Sequence, residues 1–182
     1  MPVHIRCQLR RTTISVPRVT ILTQRVLEIL NHASDELGVV IVGAARIRHL
    51  NKRYRHKDVP TDVLAFSLRE APGPATSLLG DVVIALPVAI RQAARYGHTA
   101  DEEFVRLLVH GILHLLGYDH ERSPQEAHRM QQLEHSIFTA LMPIPRIIDR
   151  AAWTFKKTPS SFIGSRFRPS FRGIRAHRDG HE

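Results

Sequence analysis

The distribution of apolar and polar residues along the chain predicts a mixture of strands and helices. Short stretches that are alternating or uniformly apolar predict four strands, at residues 3–9, 39–43, 62–67 and 81–85. Apolar positions with helical spacing predict five helices, at residues 18–36, 47–54, 87–96, 101–116 and 124–141. We expect Gly38 to end the first helix. We expect loops where prolines interrupt both patterns, at residues 55–61 and 70–79.

These elements predict an α+β fold for residues 1–142, with a small mixed sheet of about four strands and about five helices. Residues 143–182 lack a regular apolar period, so we expect a basic C-terminal extension that is partly disordered. Its aromatic residues either dock on the domain or stack on nucleobases. They are Trp153, Phe155, Phe162, Phe167 and Phe171.

The composition is that of a soluble globular protein, with 43% apolar and 24% charged residues in 182. The longest clean apolar run, residues 39–45, is far shorter than the ~18 residues that a membrane span needs. No apolar block follows the arginines near the N-terminus, so no secretory signal is visible. Cys7 is the one cysteine and cannot form an internal disulfide. We therefore expect a cytoplasmic protein without a membrane partner.

The net charge of +9 predicts a polyanionic partner such as nucleic acid, acidic lipid or acidic protein. Most of this excess lies in residues 143–182, where nine Lys and Arg face three Asp and Glu. The same charge is also typical of a solvated, disordered tail.

Three histidines form the clearest candidate site. His110 and His114 are four residues apart in a predicted helix, so their rings lie on one face. Gly117 allows the helix to end and the chain to return His120 to the same place. Three imidazoles with a fourth position left for water are typical of catalytic zinc. Imidazole also binds nickel, copper or cobalt, so zinc is the preferred metal and does not follow from the residues alone.

The same spacing occurs in metzincin peptidases, H-E-x-x-H-x-x-G-x-x-H. This chain has Gly111 where those enzymes have the glutamate that deprotonates the zinc water. Glycine cannot act as a base, so a conventional peptidase mechanism needs another carboxylate. Asp119 and Glu121 are near, but we expect them to orient an imidazole or to cap the loop.

A second candidate site is the cationic segment before the strand predicted at residues 62–67. It contains Arg55 and Lys57 beside Asp58. A guanidinium held here can bind a phosphate with two hydrogen bonds and stabilise charge developing on phosphorus. A solvated loop with Asp58 as its counter-ion explains the same residues, and the sequence alone does not decide between the two.

These two segments and residues 80–84 (G-D-V-V-I) together resemble the YbeY family of ribosomal-RNA maturation endoribonucleases. The motif H-G-x-L-H-L-x-G-Y-D-H is intact at residues 110–120, and R-x-K-D-x-P-T-D-V-L is intact at residues 55–64. The resemblance covers residues 1–142. Ala65 departs from it, because the family usually has serine there.

The resemblance implies an α+β metalloprotein with zinc on His110, His114 and His120. It implies cleavage of single-stranded RNA in 3′-end maturation of small-subunit ribosomal RNA and in ribosome quality control. Arg55 and His114 are then the catalytic residues, with Arg55 steadying the scissile phosphate. The implied partners are ribosomal RNA, the small ribosomal subunit and the GTPase Era.

We therefore interpret the chain as a zinc-dependent endoribonuclease, which we expect to be a monomer. Lys57, Asp81 and Asp119 are candidates for orienting a ligand or for contacting RNA. Whether a water or the RNA 2′-hydroxyl is the nucleophile stays open. Two alternatives also stay open: a zinc peptidase that shares the histidine spacing, and a non-catalytic ribosome assembly factor whose zinc is structural.

Overall fold

The computed structural model describes residues 3–9, 14–68 and 77–149, and it confirms the predicted α+β class. These residues form four strands and five helices in the order β1 (Val3–Cys7), α1 (Val16–Ile29), β2 (Glu36–Val42), α2 (Ala44–Arg55), β3 (Val63–Ser67), β4 (Leu78–Ala85), α3 (Leu86–Tyr96), α4 (Ala100–Leu115) and α5 (Pro124–Leu141). The loop predicted at residues 70–79 lies mostly outside the described residues.

The four strands form one mixed sheet in the order β1-β2-β4-β3. β1 and β4 both pair with β2 in parallel, and β3 pairs with β4 antiparallel. The inner strands β2 and β4 are rich in valine and isoleucine, which suit a strand that is covered on both faces.

The segment between the first helix and the second strand differs from the prediction. α1 ends at Ile29 instead of continuing to residue 36, and the chain turns through Asn31, which has φ +59°. Gly38 does not end a helix: it lies inside β2, opposite Asp81 of β4. The Asp81 carboxylate occupies the space that a side chain at position 38 would need. The glycine therefore permits a close approach between strands, which helical periodicity cannot reveal.

Successive residues of β4 face opposite sides of the sheet, and each side has its own helices. Val82 and Ile84 belong to the main core, together with buried residues of α1, α4 and α5. Val83 and Ala85 face the other way and cluster with Ile47 of α2. The helix that carries the histidine motif therefore packs on the face opposite α2.

The described chain continues to pack beyond Met142, where we expected the domain to end. Ile147 and Ile148 are each 2% exposed and belong to the main core. Their backbone N–H groups both donate to Oδ1 of Asp101 at 2.8 Å. Ile148 also forms a β-bridge with Ile14. The packed unit thus includes residues 143–148, and residues 150–182 lie outside the described part of the chain.

Among the described residues, no helix combines the length and the apolar character needed to cross a membrane.

Candidate metal centre and adjoining cavity

Helix α4 carries the first two histidines, and its N-terminus is fixed by a capping box. Thr99 Oγ1 accepts a hydrogen bond from Glu102 N at 3.1 Å, and Glu102 Oε2 accepts one from Thr99 N at 2.7 Å. The hydrogen bond from Thr99 N lowers the pKa of the Glu102 carboxyl below its ordinary value. Most of the remaining helix is buried between the sheet and α5, and this packing holds the last turn, which carries His114, in place.

The chain reverses direction directly after α4. The N–H of Gly117 donates to the carbonyl of His114 at 3.0 Å, and the N–H of Tyr118 donates to the carbonyl of Leu113 at 3.1 Å. Gly117 has φ +91°, a left-handed conformation that glycine adopts without steric cost. This turn brings His120 back against the end of the helix.

The structure brings the three predicted histidines together. Nε2 of His114 lies 3.2 Å from Nε2 of His110, and the ring centroids of these two residues are 4.7 Å apart. The ring of His120 lies 5.5 Å from that of His110 and 5.3 Å from that of His114. One nitrogen from each ring lies within 4.8 Å of the others, so the three can bind a single ion.

The protonation state of His114 and the burial of His120 suit metal ligands. Burial lowers the pKa of His114 to about 3, and the nearby His110 and His120 lower it in the same direction. His114 is therefore neutral at neutral pH, with a lone pair available. Nδ1 of His120 is buried and has no hydrogen-bond partner in the described part of the chain. Such a nitrogen is costly to bury without a partner.

Glu134 of α5 orients His110, a role that the sequence analysis did not predict. Its Oε1 lies 2.5 Å from Nδ1 of His110. Because a carboxylate only accepts, Nδ1 of His110 carries a proton, and Nε2 is the ring nitrogen that faces His114. A carboxylate behind a histidine ligand is the usual arrangement at zinc sites. Three imidazoles with this support fit a divalent transition ion such as Zn²⁺.

The cationic segment that was the second candidate site lies at the end of α2 and in the loop after it. Arg55 is the last residue of that helix and is partly buried, and Lys57 is exposed in the loop that follows. Asp58 bridges two other cations: its carboxylate accepts from Arg48 Nε at 2.8 Å and from Lys52 Nζ at 3.0 Å. The hydrogen bond from Arg48 lowers the pKa of Asp58.

The two remaining acidic candidates have structural contacts. Asp119 Oδ1 accepts from Glu121 N at 2.9 Å, which caps the loop that carries His120. Asp81 is exposed on the face of the sheet that is opposite α4, beside Gly38. We therefore do not place Asp81 among the groups that support the histidines.

A cavity of about 440 Å³ adjoins the histidines. Loop residues 60–62, Val63 of β3 and the helices α3, α4 and α5 form its walls, and His110 and Glu134 are among the lining residues. Arg91, Arg95 and Arg106 also line it. Asp62 and Glu103 line it together with Glu134, so arginines and carboxylates share the walls. The arginines are cations beside the candidate metal ligands that can contact the phosphates of a substrate.

Comparisons with known proteins identify a family. A family model described as Endoribonuclease YbeY matches residues 4–142. The Endoribonuclease YbeY of Geobacter metallireducens is 42% identical over 144 residues, which cover 78% of this chain and 96% of the relative. That of Sulfurihydrogenibium sp. is 48% identical over 120 residues, which cover 66% and 79%.

A solved structure supports the fold as well. The solution structure of a Thermotoga maritima protein matches 75% of this chain and 86% of that chain, with 25% sequence identity and a TM-score of 0.54. With the family model matching most of the chain, this protein belongs to the YbeY endoribonuclease family.

Proposed function

We propose that this protein is a zinc-dependent endoribonuclease that cuts single-stranded RNA. Its substrate is precursor ribosomal RNA, in 3′-end maturation of the small-subunit RNA and in ribosome quality control. The observation that carries the proposal is the convergence of His110, His114 and His120 beside an arginine-lined cavity. The names of the relatives support RNA cleavage.

The three histidines would hold the ion, and Glu134 keeps His110 in the tautomer that this requires. When bound, Zn²⁺ supplies Lewis acidity toward a phosphoryl oxygen. Arg106 lies on the wall of the adjoining cavity and contacts the RNA phosphates there. Arg55 steadies the scissile phosphate through its guanidinium. Contacts of this kind hold the RNA backbone without reading a sequence.

The cellular location, the oligomeric state and the partners of the enzyme are part of the same proposal. The protein acts in the cytoplasm as a monomer, with the small ribosomal subunit and the GTPase Era as partners. The basic segment 150–182 has eight Lys and Arg against two Asp and Glu, and it adds affinity for RNA.

Gly111 argues against the peptidase alternative. It is buried at the crossing of α4 and the sheet, so the position that carries the catalytic glutamate in metzincins points into the core. Robust peptide cleavage that His114→Ala abolishes would nevertheless favour a peptidase.

Cleavage of a labelled single-stranded RNA tests the proposal directly. We expect the zinc-loaded parent to cut, and His114→Ala and Arg55→Ala to lose at least ~100-fold in rate. His128→Ala, an exposed histidine on α5, is the matched control and should cut like the parent. Equal cutting by His114→Ala would identify a contaminant and favour the assembly factor. A 2′,3′-cyclic phosphate product would identify the 2′-hydroxyl as the nucleophile.

A further inference from the structure

An exposed tyrosine lies on the wall of the cavity, at the end of α3. Tyr96 lines the cavity and is 48% exposed, so a ligand in the cavity can contact its ring. It is the last residue of α3, and Gly97, with φ +73°, turns the chain toward α4 directly after it. Among the described residues, the ring of Tyr96 contacts one other aromatic ring, that of His98, with 6.3 Å between the centroids. A large part of the ring is thus open to a ligand.

Other aromatic rings are already engaged within the fold. Phe138 also lines the cavity, but it packs against the main core, and the guanidinium of Arg106 lies over its ring at 4.0 Å from the centroid. Tyr54, which is also exposed, packs edge-on against Phe66 with 5.1 Å between the ring centroids. On the cavity wall, Tyr96 is therefore the better placed of the two large aromatic side chains to stack on a planar group.

Two arginines accompany this tyrosine on α3. Arg91 and Arg95 both line the cavity and are exposed, and their spacing of four residues puts them on one side of the helix. Neither forms an ion pair with a carboxylate of the described residues. The carboxylates of Asp62 and Glu103 also line the cavity, but each of these residues is only 7% exposed. A ligand that enters therefore meets the arginines first, which favours an anionic group.

The tyrosine and the histidines lie in different parts of the cavity. Oε2 of Glu103 is 3.3 Å from Nδ1 of His98, whose ring is the neighbour of Tyr96. Glu103 and His110 are both on α4 and two helical turns apart, a rise of about 10 Å. A base that stacks on Tyr96 would therefore belong to a nucleotide further along the strand than the cut phosphate.

We propose that α3 carries a nucleotide subsite, in which Arg91 and Arg95 bind a phosphate and the ring of Tyr96 stacks on the nucleobase. The proposal rests on the proposed function, because the nucleotide belongs to the RNA strand that is cut. Aromatic side chains stack on the faces of unpaired bases. In a duplex, neighbouring bases cover both faces, so the ring has nothing to stack on. Tyr96 therefore selects an unpaired strand, which contacts to phosphates alone do not.

Binding of AMP and of ribose 5-phosphate tests the subsite without any cleavage, because neither ligand contains a phosphodiester bond. The two share a sugar phosphate and differ by the base. We expect the zinc-loaded full chain to bind AMP about tenfold more tightly than ribose 5-phosphate, measured by NMR titration of the tyrosine ring signals. Equal affinities in the parent protein would overturn the proposal, whatever the variants do.

Two variants of the tyrosine assign the preference for AMP to its ring. In Tyr96→Ala, the two ligands should bind within about twofold of each other, because no ring is left to stack. Tyr96→Phe keeps the ring and should keep the preference. Ile21→Ala, which removes a 62% exposed side chain from α1, is the control and should bind like the parent. If Tyr96→Ala is folded by circular dichroism and keeps the preference, the ring does not hold the base and the proposal fails.

Arginine variants separate the phosphate contacts from the base contact. In the double variant Arg91→Ala/Arg95→Ala, both ligands should bind about tenfold more weakly, with the ratio between them unchanged. Arg25→Ala, at an exposed arginine on α1, should change neither affinity. Binding of ribose 5-phosphate as tight as in the parent would show that these arginines do not hold the phosphate, and the subsite would be wrong.

Cleavage of a single-stranded RNA and of its duplex separates this inference from the proposed function. We expect Tyr96→Ala to keep the zinc content of the parent and to cut the single strand with about tenfold lower kcat/KM, so that its preference over the duplex shrinks. A Tyr96→Ala protein that cuts the single strand like the parent would overturn the subsite and leave the nuclease. A preference for AMP that depends on Tyr96, in a protein that does not cut RNA, would support the subsite and overturn the nuclease.

Discussion

A Cβ atom on Gly111 would lie 2.6 Å from Cγ1 of Val82, closer than real side chains approach each other. Helix α4 therefore sits so near β4 that only glycine fits at this crossing. The same position carries the catalytic glutamate in metzincins. In this protein it faces the core, one residue after a metal-ligand candidate, and it serves helix–sheet packing.

Gly111→Ala should lower the free energy of unfolding by about 1–3 kcal/mol, because Val82 must move to admit the methyl group. The double variant Gly111→Ala/Val82→Ala should recover part of this loss, since it removes the atoms that clash. Urea unfolding followed by circular dichroism measures both. If Gly111→Ala is as stable as the parent, the close approach is not needed for packing.

Glu134→Ala should weaken zinc binding by about 10- to 100-fold, because His110 loses the acceptor that fixes its tautomer and orientation. Competition with a fluorescent chelator measures the affinity. Gln131→Ala, an exposed residue on the same helix, is the control and should bind zinc like the parent. Unchanged affinity in Glu134→Ala would show that the carboxylate does not support the ligand.

The capping box of α4 predicts a pH-dependent contribution to stability. The pKa of Glu102 is lowered in the folded protein, so its carboxylate stabilises the fold above the ordinary value of 4.5. This contribution is lost as the pH falls through the lower, folded-state pKa. Glu102→Gln should therefore be less stable at pH 7, by about 0.5 kcal/mol, and the difference should vanish in acid. A difference that persists in acid would contradict the assignment.

Two truncations distinguish the contribution of residues 143–149 to stability from that of residues 150–182 to RNA binding. Ending the chain at Met142 should cost about 3 kcal/mol or more, because Ile147 and Ile148 leave the core. Two donors to Asp101 are lost at the same time. Ending it at Asp149 should keep the stability and lower only the salt-dependent affinity for RNA. Equal stability of both truncations would show that the Ile147–Ile148 contacts contribute little.

The sequence predicted those features that local spacing determines. The helical period of α4 and the glycine after it were sufficient to bring His110, His114 and His120 together. Glu134 was missed because it reaches His110 through the packing of α5 on α4, 24 residues along the chain.

The two other differences have the same origin in tertiary contacts. Gly38 was misread because glycine marks helix ends and close strand approaches alike, and only the neighbouring Asp81 distinguishes the two. The hydrogen bond from Nε2 of Gln92 to Oδ2 of Asp62 was missed because the two residues are 30 positions apart, one in α3 and one just before β3. Neither pairing leaves a periodic signal in the sequence.

Zinc content and RNA cleavage measured on the same preparations test the central claim most directly. The parent should bind one Zn²⁺ per chain, and each of His110→Ala, His114→Ala and His120→Ala should lose most of the zinc and the cleavage together. His128→Ala should keep both. A folded His114→Ala protein that cuts single-stranded RNA at the parent rate would contradict the account.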